Sequence, residues 1–304
     1  MSTNLEEKAA EIMMLCAACG IAQVDDIILK KCTACKSVRY CSVKCQKEHR
    51  PQHKRACKKR AAELHDEILF KQPESSHEGD CPICFLPLSL DPKKSLMMSC
   101  CSKIICSGCY YSNDLRTHQE KLERTCPFCR HPAPKSREEV EKNIMKRVEL
   151  NDPVAMLQMG KQRFEEGDYD SAFRCFSKSA ELGSIGAHYQ LSIFYHEGLC
   201  VEKDMKKKVY HFEQAAIGGH DIARYNLGSV EEQKGRMDRA VKHWIIAATL
   251  GHDLSLDALK DSFQTGVLSK ENFASALRAH QAAVEATKSS RREAAEALDK
   301  ELRG

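Results

Sequence analysis

At 304 residues, 42% hydrophobic and 30% charged, the chain has room for two or three domains of ordinary soluble composition. Its apolar stretches fall far short of the ~20 residues a bilayer-spanning helix needs, so no membrane role is expected. The formal charge of +4 invites a nucleic-acid reading, which the cysteines below weaken.

The start, Met1–Lys8, is polar and carries Glu6 and Glu7, unlike the basic start and apolar core of a signal peptide. A reducing compartment, cytoplasmic or nuclear, is the expectation. Of seventeen cysteines, fifteen fall between Cys16 and Cys129, leaving only Cys175 and Cys200 beyond. They come as C-x-x-C pairs. Two sulfurs at one tight turn converge on a tetrahedral ion, a spacing that favours zinc over disulfides. Zinc ligands are thiolates, so four filled sites add about −6 or −7 and take the chain to about −2 or −3. Nucleic acid is therefore not the expected partner.

In chain order, residues 12–57 hold Cys16-x2-Cys19, Cys32-x2-Cys35, Cys41-x3-Cys45 and His53-x3-Cys57. Eight ligands suffice for two tetrahedral zincs. The order, with the pairs Tyr40-Cys41, Cys45-Gln46 and His53-Lys54, resembles a MYND finger. That resemblance implies an interleaved assignment: Cys16, Cys19, Cys41 and Cys45 on one zinc, and Cys32, Cys35, His53 and Cys57 on the other. MYND fingers commonly grip proline-containing peptides beside the metal, where a tryptophan helps form the groove. Arg50 stands at that position here, leaving a peptide reader and a purely structural finger both open. The basic residues Lys54, Arg55, Lys58, Lys59 and Arg60 read as a solvated helix face ahead of an import signal or nucleic-acid patch.

Residues 58–80 read as a helix and linker. Lys58 to Gln72 places Ala61, Leu64, Ile68 and Leu69 near one face, and Pro73 to Asp80 has linker composition. Residues 81–130 hold the second cluster: Cys81-x2-Cys84, Cys100-Cys101, Cys106-x2-Cys109 and Cys126-x2-Cys129. This order resembles a RING finger, which implies Cys81, Cys84, Cys106 and Cys109 on a first zinc, with Cys126 and Cys129 on a second. Lys103 occupies the position where that family usually has histidine, and a protonated amine is a poor zinc ligand. The adjacent Cys100 and Cys101 are the favoured remaining ligands. Three protein ligands completed by water or by His118 is the alternative. Four zincs are expected, or three if Lys103 has cost the second cluster its second metal.

The RING resemblance implies recruitment of a ubiquitin-conjugating enzyme. Ile83 and Pro127 match the apolar contact residues and Arg130 the cation that orients ubiquitin, with no nucleophile on the chain itself. RING fingers that only scaffold share much of this pattern, so a non-enzymatic scaffold is the rival. Transcriptional co-regulation rests on the MYND resemblance and the basic run alone.

Residues 137–287 repeat. The endings Ser179-Ala180-Glu181-Leu182-Gly183, Ala215-Ala216-Ile217-Gly218-Gly219 and Ala247-Ala248-Thr249-Leu250-Gly251 place their last glycines 36 and 32 residues apart. Such a period signals a helical-hairpin solenoid. The stretch Gly198-Leu199-Cys200-Val201-Glu202-Lys203-Asp204 resembles the loop of Sel-one-like repeats, relatives of the tetratricopeptide family, with Cys200 in place of its second glycine and Lys208 in place of its alanine. Ser255 to Ala286 reads as a fourth, degenerate pair. The repeats are the expected surface for protein or peptide substrates. His211, His220, His243 and His252 follow the repeat register and read as structural or surface residues. Cys175 and Cys200 read as small buried apolar residues. Residues 288–304 read as a charged helix prone to fraying. The whole is a multidomain chain: two small cross-braced zinc-binding domains followed by an all-α helical-hairpin solenoid.

Overall fold

The computed structural model describes residues 15–24 and 26–303. Met1–Lys8 and residues 12–14 of the first finger region lie outside the described residues. The chain divides into two compact units, residues 1–71 and 72–304, each taken by itself below.

In the first unit, β1 (Lys30–Lys31) pairs antiparallel with β2 (Arg39–Tyr40), and α1 (Val43–Leu69) follows. Four of the six residues in its buried cluster are cysteines: Cys16, Cys32, Cys35 and Cys45, beside Leu29 and Tyr40. Such a core holds too little apolar area to fold on burial alone. Helix α1 does not begin at Lys58, as its periodicity suggests. It starts after Ser42, whose hydroxyl accepts from the Cys45 N–H at 3.2 Å, and runs unbroken through both His53 and Cys57. Finger and following helix are therefore one element. Pro51 lies inside it, removing one helical donor without ending it.

The second unit opens with the second finger. β3 (Ser95–Met97) and β4 (Ile104–Cys106) form an antiparallel hairpin, and α2 (Ser107–Gln119) follows directly. Cys81, Leu88, Ile105, Cys106 and Cys109 make its buried cluster. Helix α3 (Arg137–Glu149) then leads into a run of hairpins: α4 (Pro153–Glu165) with α5 (Tyr169–Glu181), α6 (Ile185–Glu197) with α7 (Met205–Ile217), and α8 (Asp221–Gln233) with α9 (Met237–Thr249). Helices α10 (Asp253–Gln264) and α11 (Lys270–Ala286) form a fourth pair, and α12 (Ser290–Arg303) ends the described chain. None of the described helices is long and apolar enough to cross a membrane. The architecture is a mostly helical solenoid after a cysteine-rich N-terminal region.

Small residues set how closely the hairpin helices approach. A Cβ on Gly160 would lie 2.5 Å from Phe176 Cε1, and one on Gly228 would lie 2.2 Å from Trp244 Nε1. Each glycine makes room for the aromatic ring of its own hairpin partner. The closing glycines Gly183, Gly219 and Gly251 all have φ between 88° and 97°, the left-handed region that ends a helix cheaply only with glycine. Cys200 also adopts a left-handed φ of 50°, as a glycine would at that loop position. It is exposed rather than buried, and Cys175 is half-buried.

The register histidines lie inward. His243 and His220 are 1% and 5% exposed, and His188 meets His211 with Nδ1 atoms 2.9 Å apart. Burial, then the neighbouring His188 and Lys207, pushes His211 down to about 4. Burial likewise lowers His188 and His220. The segment before the second finger is pinned here: the His77 N–H donates to the Gly219 carbonyl at 3.1 Å, and its ring stacks on His220 at 4.0 Å.

Two outcomes follow for the repeats, both read by fluorescence of Trp244, the chain's single tryptophan. Gly228→Ala overpacks against that ring and should lower unfolding stability by about 1–3 kcal/mol; an unchanged denaturation midpoint would show that the ring moves aside. His188, His211 and His220 are held neutral when folded but take up protons below about pH 6.5 when unfolded. Stability is therefore full above about pH 6.5 and declines as pH falls toward 4. His211→Gln should flatten that decline, and an unaltered slope would remove His211 as a contributor.

Candidate metal centres

Three of the C-x-x-C turns share one backbone solution. The N–H groups of Cys16, Cys81 and Cys126 donate to the carbonyls of Ile21, Leu86 and His131, five residues on, at 2.8–3.0 Å. The residue after each second cysteine turns left-handed and donates back to the first cysteine's carbonyl: Gly20, Phe85 and Arg130, with Lys36 doing the same after Cys35. This closes a tight knuckle that aims both sulfurs to one side. Only Gly20 meets that conformation without a Cβ penalty; the other three hold it against a steric cost.

Cys100 and Cys101 arrive differently. They sit in the turn joining β3 to β4, where Met98 N–H donates to Lys103 O at 2.9 Å and Ser102 N–H to Met98 O at 2.7 Å. Ser102 takes a φ of 56°, tightening the turn so that both neighbouring sulfurs face the last knuckle. Cys100 Sγ lies 3.3 Å from Cys129 Sγ, and Cys101 Sγ lies 3.9 Å from Cys126 Sγ. Lys103 points its ammonium over the Phe128 ring, 5.8 Å from its centre. His118 is exposed near the end of α2 and lies outside the cluster.

Four donor groups result: Cys16, Cys19, Cys41 and Cys45; Cys32, Cys35, His53 and Cys57; Cys81, Cys84, Cys106 and Cys109; Cys100, Cys101, Cys126 and Cys129. Within each group the ligand atoms lie within 4.8 Å of one another. A tetrahedral zinc with bonds of about 2.3 Å sets its sulfurs about 3.8 Å apart. The measured separations include 3.6 Å for Cys19–Cys41, 3.7 Å for Cys32–Cys57 and 3.8 Å for Cys84–Cys106. All seventeen cysteines are free thiols.

Electrostatics makes the same case. Burial works to raise the Cys16 thiol, yet hydrogen bonds from the backbone at Cys19, Cys41 and Ala18 outweigh it and hold it at about 6. Its neighbour Cys41 is pushed up to about 12 by the sulfurs of Cys45, Cys19 and Cys16. In the second group, hydrogen bonds from the Cys35 backbone and His53 outweigh burial and hold Cys32 at about 6, while burial and then the sulfurs of Cys32 and Cys35 push Cys57 up to about 11. One thiol ionises easily, and its charge opposes ionisation of Cys41 in the first group and Cys57 in the second. A divalent cation supplies the missing positive charge, and soft sulfur with one imidazole suits zinc. The residues present fit that ion. His53 is steadied from behind, stacked on His49 at 5.4 Å, and the Tyr40 hydroxyl meets His49 Nδ1 at 3.0 Å.

One functional residue has no signal near any ligand. Helix α12 packs against α2, so closely that a Cβ on Gly108 would lie 2.8 Å from the Arg292 backbone nitrogen. Rather than fraying, this helix sends the Arg292 guanidinium into the second finger. It donates to Cys84 Sγ at 3.4 Å, Leu86 O at 3.1 Å and Pro87 O at 2.6 Å. A zinc held by four thiolates carries a net charge of −2, and this cation offsets half of it. Lys94 and Glu296 add an ion pair at 2.9 Å.

A fifth convergence, His77, His220 and Asp221, joins the linker segment to the repeats. The rings are stacked nearly parallel, 11° apart, and His220 Nδ1 already accepts from the Ala223 N–H. These contacts make it a packing clamp. Ile83 and Pro127 are half-buried on the two knuckle turns, and Arg130 is exposed.

Arg292→Gln should leave the zinc count per chain at four under native conditions while a chelator strips one zinc about tenfold faster. Unchanged release would reduce Arg292 to a packing role.

Residues 16–57 match the family model of the MYND finger, and residues 153–184, 185–220 and 222–252 match the Sel1 repeat. Neither covers residues 81–130. A Sel1 repeat protein from Oxalobacter formigenes is similar at 26% identity over 40% of this chain and 97% of its own, with a TM-score of 0.36. A protective antigen of uropathogenic Escherichia coli strains, displaying an SLR fold, is similar at 22% identity over 64% of this chain, with a TM-score of 0.38. This chain spans 40% of that antigen's length. No curated protein matches the chain. Zinc-finger and repeat segments together make it a zinc-binding repeat protein suited to protein interactions.

Proposed function

We propose that the chain is a RING-type ubiquitin-protein ligase, in which residues 81–130 recruit a ubiquitin-conjugating enzyme and the helical repeats hold the substrate. The interleaving of its ligand pairs supports this reading. The first knuckle shares its donor group with the start of α2, while the turn between β3 and β4 shares its group with the last knuckle. The observation that carries the proposal is apolar exposure on both knuckle turns. Phe85 is 77% and Phe128 42% exposed, next to the half-buried Ile83 and Pro127. Large apolar side chains held out on rigid turns favour a protein partner.

The chemistry asked of the chain is modest. Zinc, when bound, fixes the two turns and takes no part in the transfer. Ile83 and Pro127 would seat the conjugating enzyme, and Arg130 would hydrogen-bond its bound ubiquitin. The gain comes from orienting a thioester carried by the other protein. Sel1-type repeats generally mediate protein–protein contacts, and a substrate held by them has a raised effective concentration at the thioester. The reading places the chain in the cytoplasm or nucleus, where thiols stay reduced for zinc.

With activating enzyme, a panel of conjugating enzymes and ubiquitin, the purified chain should build ubiquitin chains. Ile83→Ala and Arg130→Ala should each cut the rate by about tenfold or more. Absence of product with every conjugating enzyme sinks the ligase and leaves a non-enzymatic scaffold.

A further inference from the structure

Helix α1 carries a face that neither the zinc sites nor the ligase reading uses. At 100° per residue, Lys47, Arg50, Lys54 and Lys58 fall within a sector of about 80°. All four are exposed. Among the described residues, no carboxylate comes within ion-pair reach of Arg50, Lys54 or Lys58. The acids nearest in sequence are engaged elsewhere: Glu48 with Lys44 at 4.0 Å, Glu63 and Glu67 with Arg60 at 3.2 and 2.8 Å. Cations spaced i, i+4, i+8 along one face repel one another. No carboxylate among this unit's described residues relieves that repulsion; the filled Cys32, Cys35, His53 and Cys57 site, at a net charge of about −1, offsets it only in part.

Beside this stripe is a cavity of about 270 Å³. Ala34, Tyr40 and Ala61 give it apolar wall, Gln46 a polar edge, and Arg50, Lys54 and Lys58 its rim; no acidic residue lines it. Its floor is the Cys32, His53 and Cys57 group, fixed once metal is bound. Arg50 stands where the resembling family places tryptophan, so the wall of this hollow presents charge in place of an aromatic face.

We infer that this groove binds an extended, carboxylate-rich peptide segment of a partner protein, one apolar side chain entering the cavity and acidic side chains lying along the stripe. Successive cations sit about 6 Å apart along the helix axis. Alternate side chains of an extended strand lie about 6.6–6.8 Å apart, so acids at every second position meet the cations nearly in step. Nucleic acid fits less well. The stripe from Arg50 to Lys58 is about 12 Å long, too short for the many phosphate contacts that give duplex affinity. A hollow that takes one apolar side chain also has no use against a phosphate backbone.

The test uses the full zinc-loaded chain and fluorescence anisotropy. The probes are a short labelled peptide with a central leucine and glutamates at alternate positions, the same peptide with glutamines, a neutral proline-rich peptide and a duplex DNA. The glutamate peptide should bind tightest and weaken as salt rises. The triple variant Arg50→Gln, Lys54→Gln, Lys58→Gln should lose about tenfold in affinity. Lys59→Gln removes charge from about 140° round the helix from the middle of the stripe and should change binding little. Zinc content serves as the folding check. Should the triple variant lose metal, Lys58→Gln alone, one residue beyond the last ligand, carries the test with a loss of a few fold. The inference is overturned if the glutamine or proline-rich peptide binds as well as the glutamate one, or if DNA outcompetes it. It is equally overturned if both faces' variants weaken binding alike. None of these readouts involves ubiquitin, so the ligase proposal and this one stand or fall separately.

Discussion

Crowded thiolates are the constraint on which the N-terminal half of the molecule rests. Every knuckle and turn there drives sulfurs to within a few ångströms of one another, where ionising one opposes ionising the next. Without a cation such clusters are expensive, and the buried residues around them are too few to offset the cost. With a divalent cation the same clusters become the cross-links that stand in for a core. The left-handed backbone at Lys36, Phe85, Ser102 and Arg130 shows that steric cost is accepted to bring the donors round.

The repeats follow the opposite strategy. Their cohesion comes from alanines and glycines that let helices touch, with aromatic rings laid over the gaps: Phe176 over Gly160 and Trp244 over Gly228. Each hairpin leaves a face for the next, so stability accumulates along the row. The segment from Gln72 to Asp80 joins the regimes within the second unit, threading over the solenoid at Gly219, where a side chain would collide with the Ser75 carbonyl.

Much of this was legible in the sequence because ligand chemistry and repeat register are short-range codes. The spacing of Cys32, Cys35, His53 and Cys57, or of Gly183, Gly219 and Gly251, carries the structural instruction within a few dozen residues. Helix α1 was harder: two strings of ligands and charges read as separate pieces, although no breaker stood between Cys57 and Lys58. Cys200 misled by composition, since thiols are usually buried, while its loop position demanded a left-handed, surface conformation. The roles of Arg292 and His77 had no local signature at all. An arginine in a charged helix looks solvated until the fold brings it to a sulfur 208 positions away.

That separation has a consequence in time. A ribosome adding about 5–20 residues per second takes about 10–40 s to travel from Cys84 to Arg292. Throughout that interval the newborn second finger must hold its thiols without the cation that later sits against Cys84, and Gly108 faces water where α12 will lie. The nascent chain thus passes through a stage in which its cysteines are most open to oxidation or to the wrong metal, and the arrival of the final helix closes it.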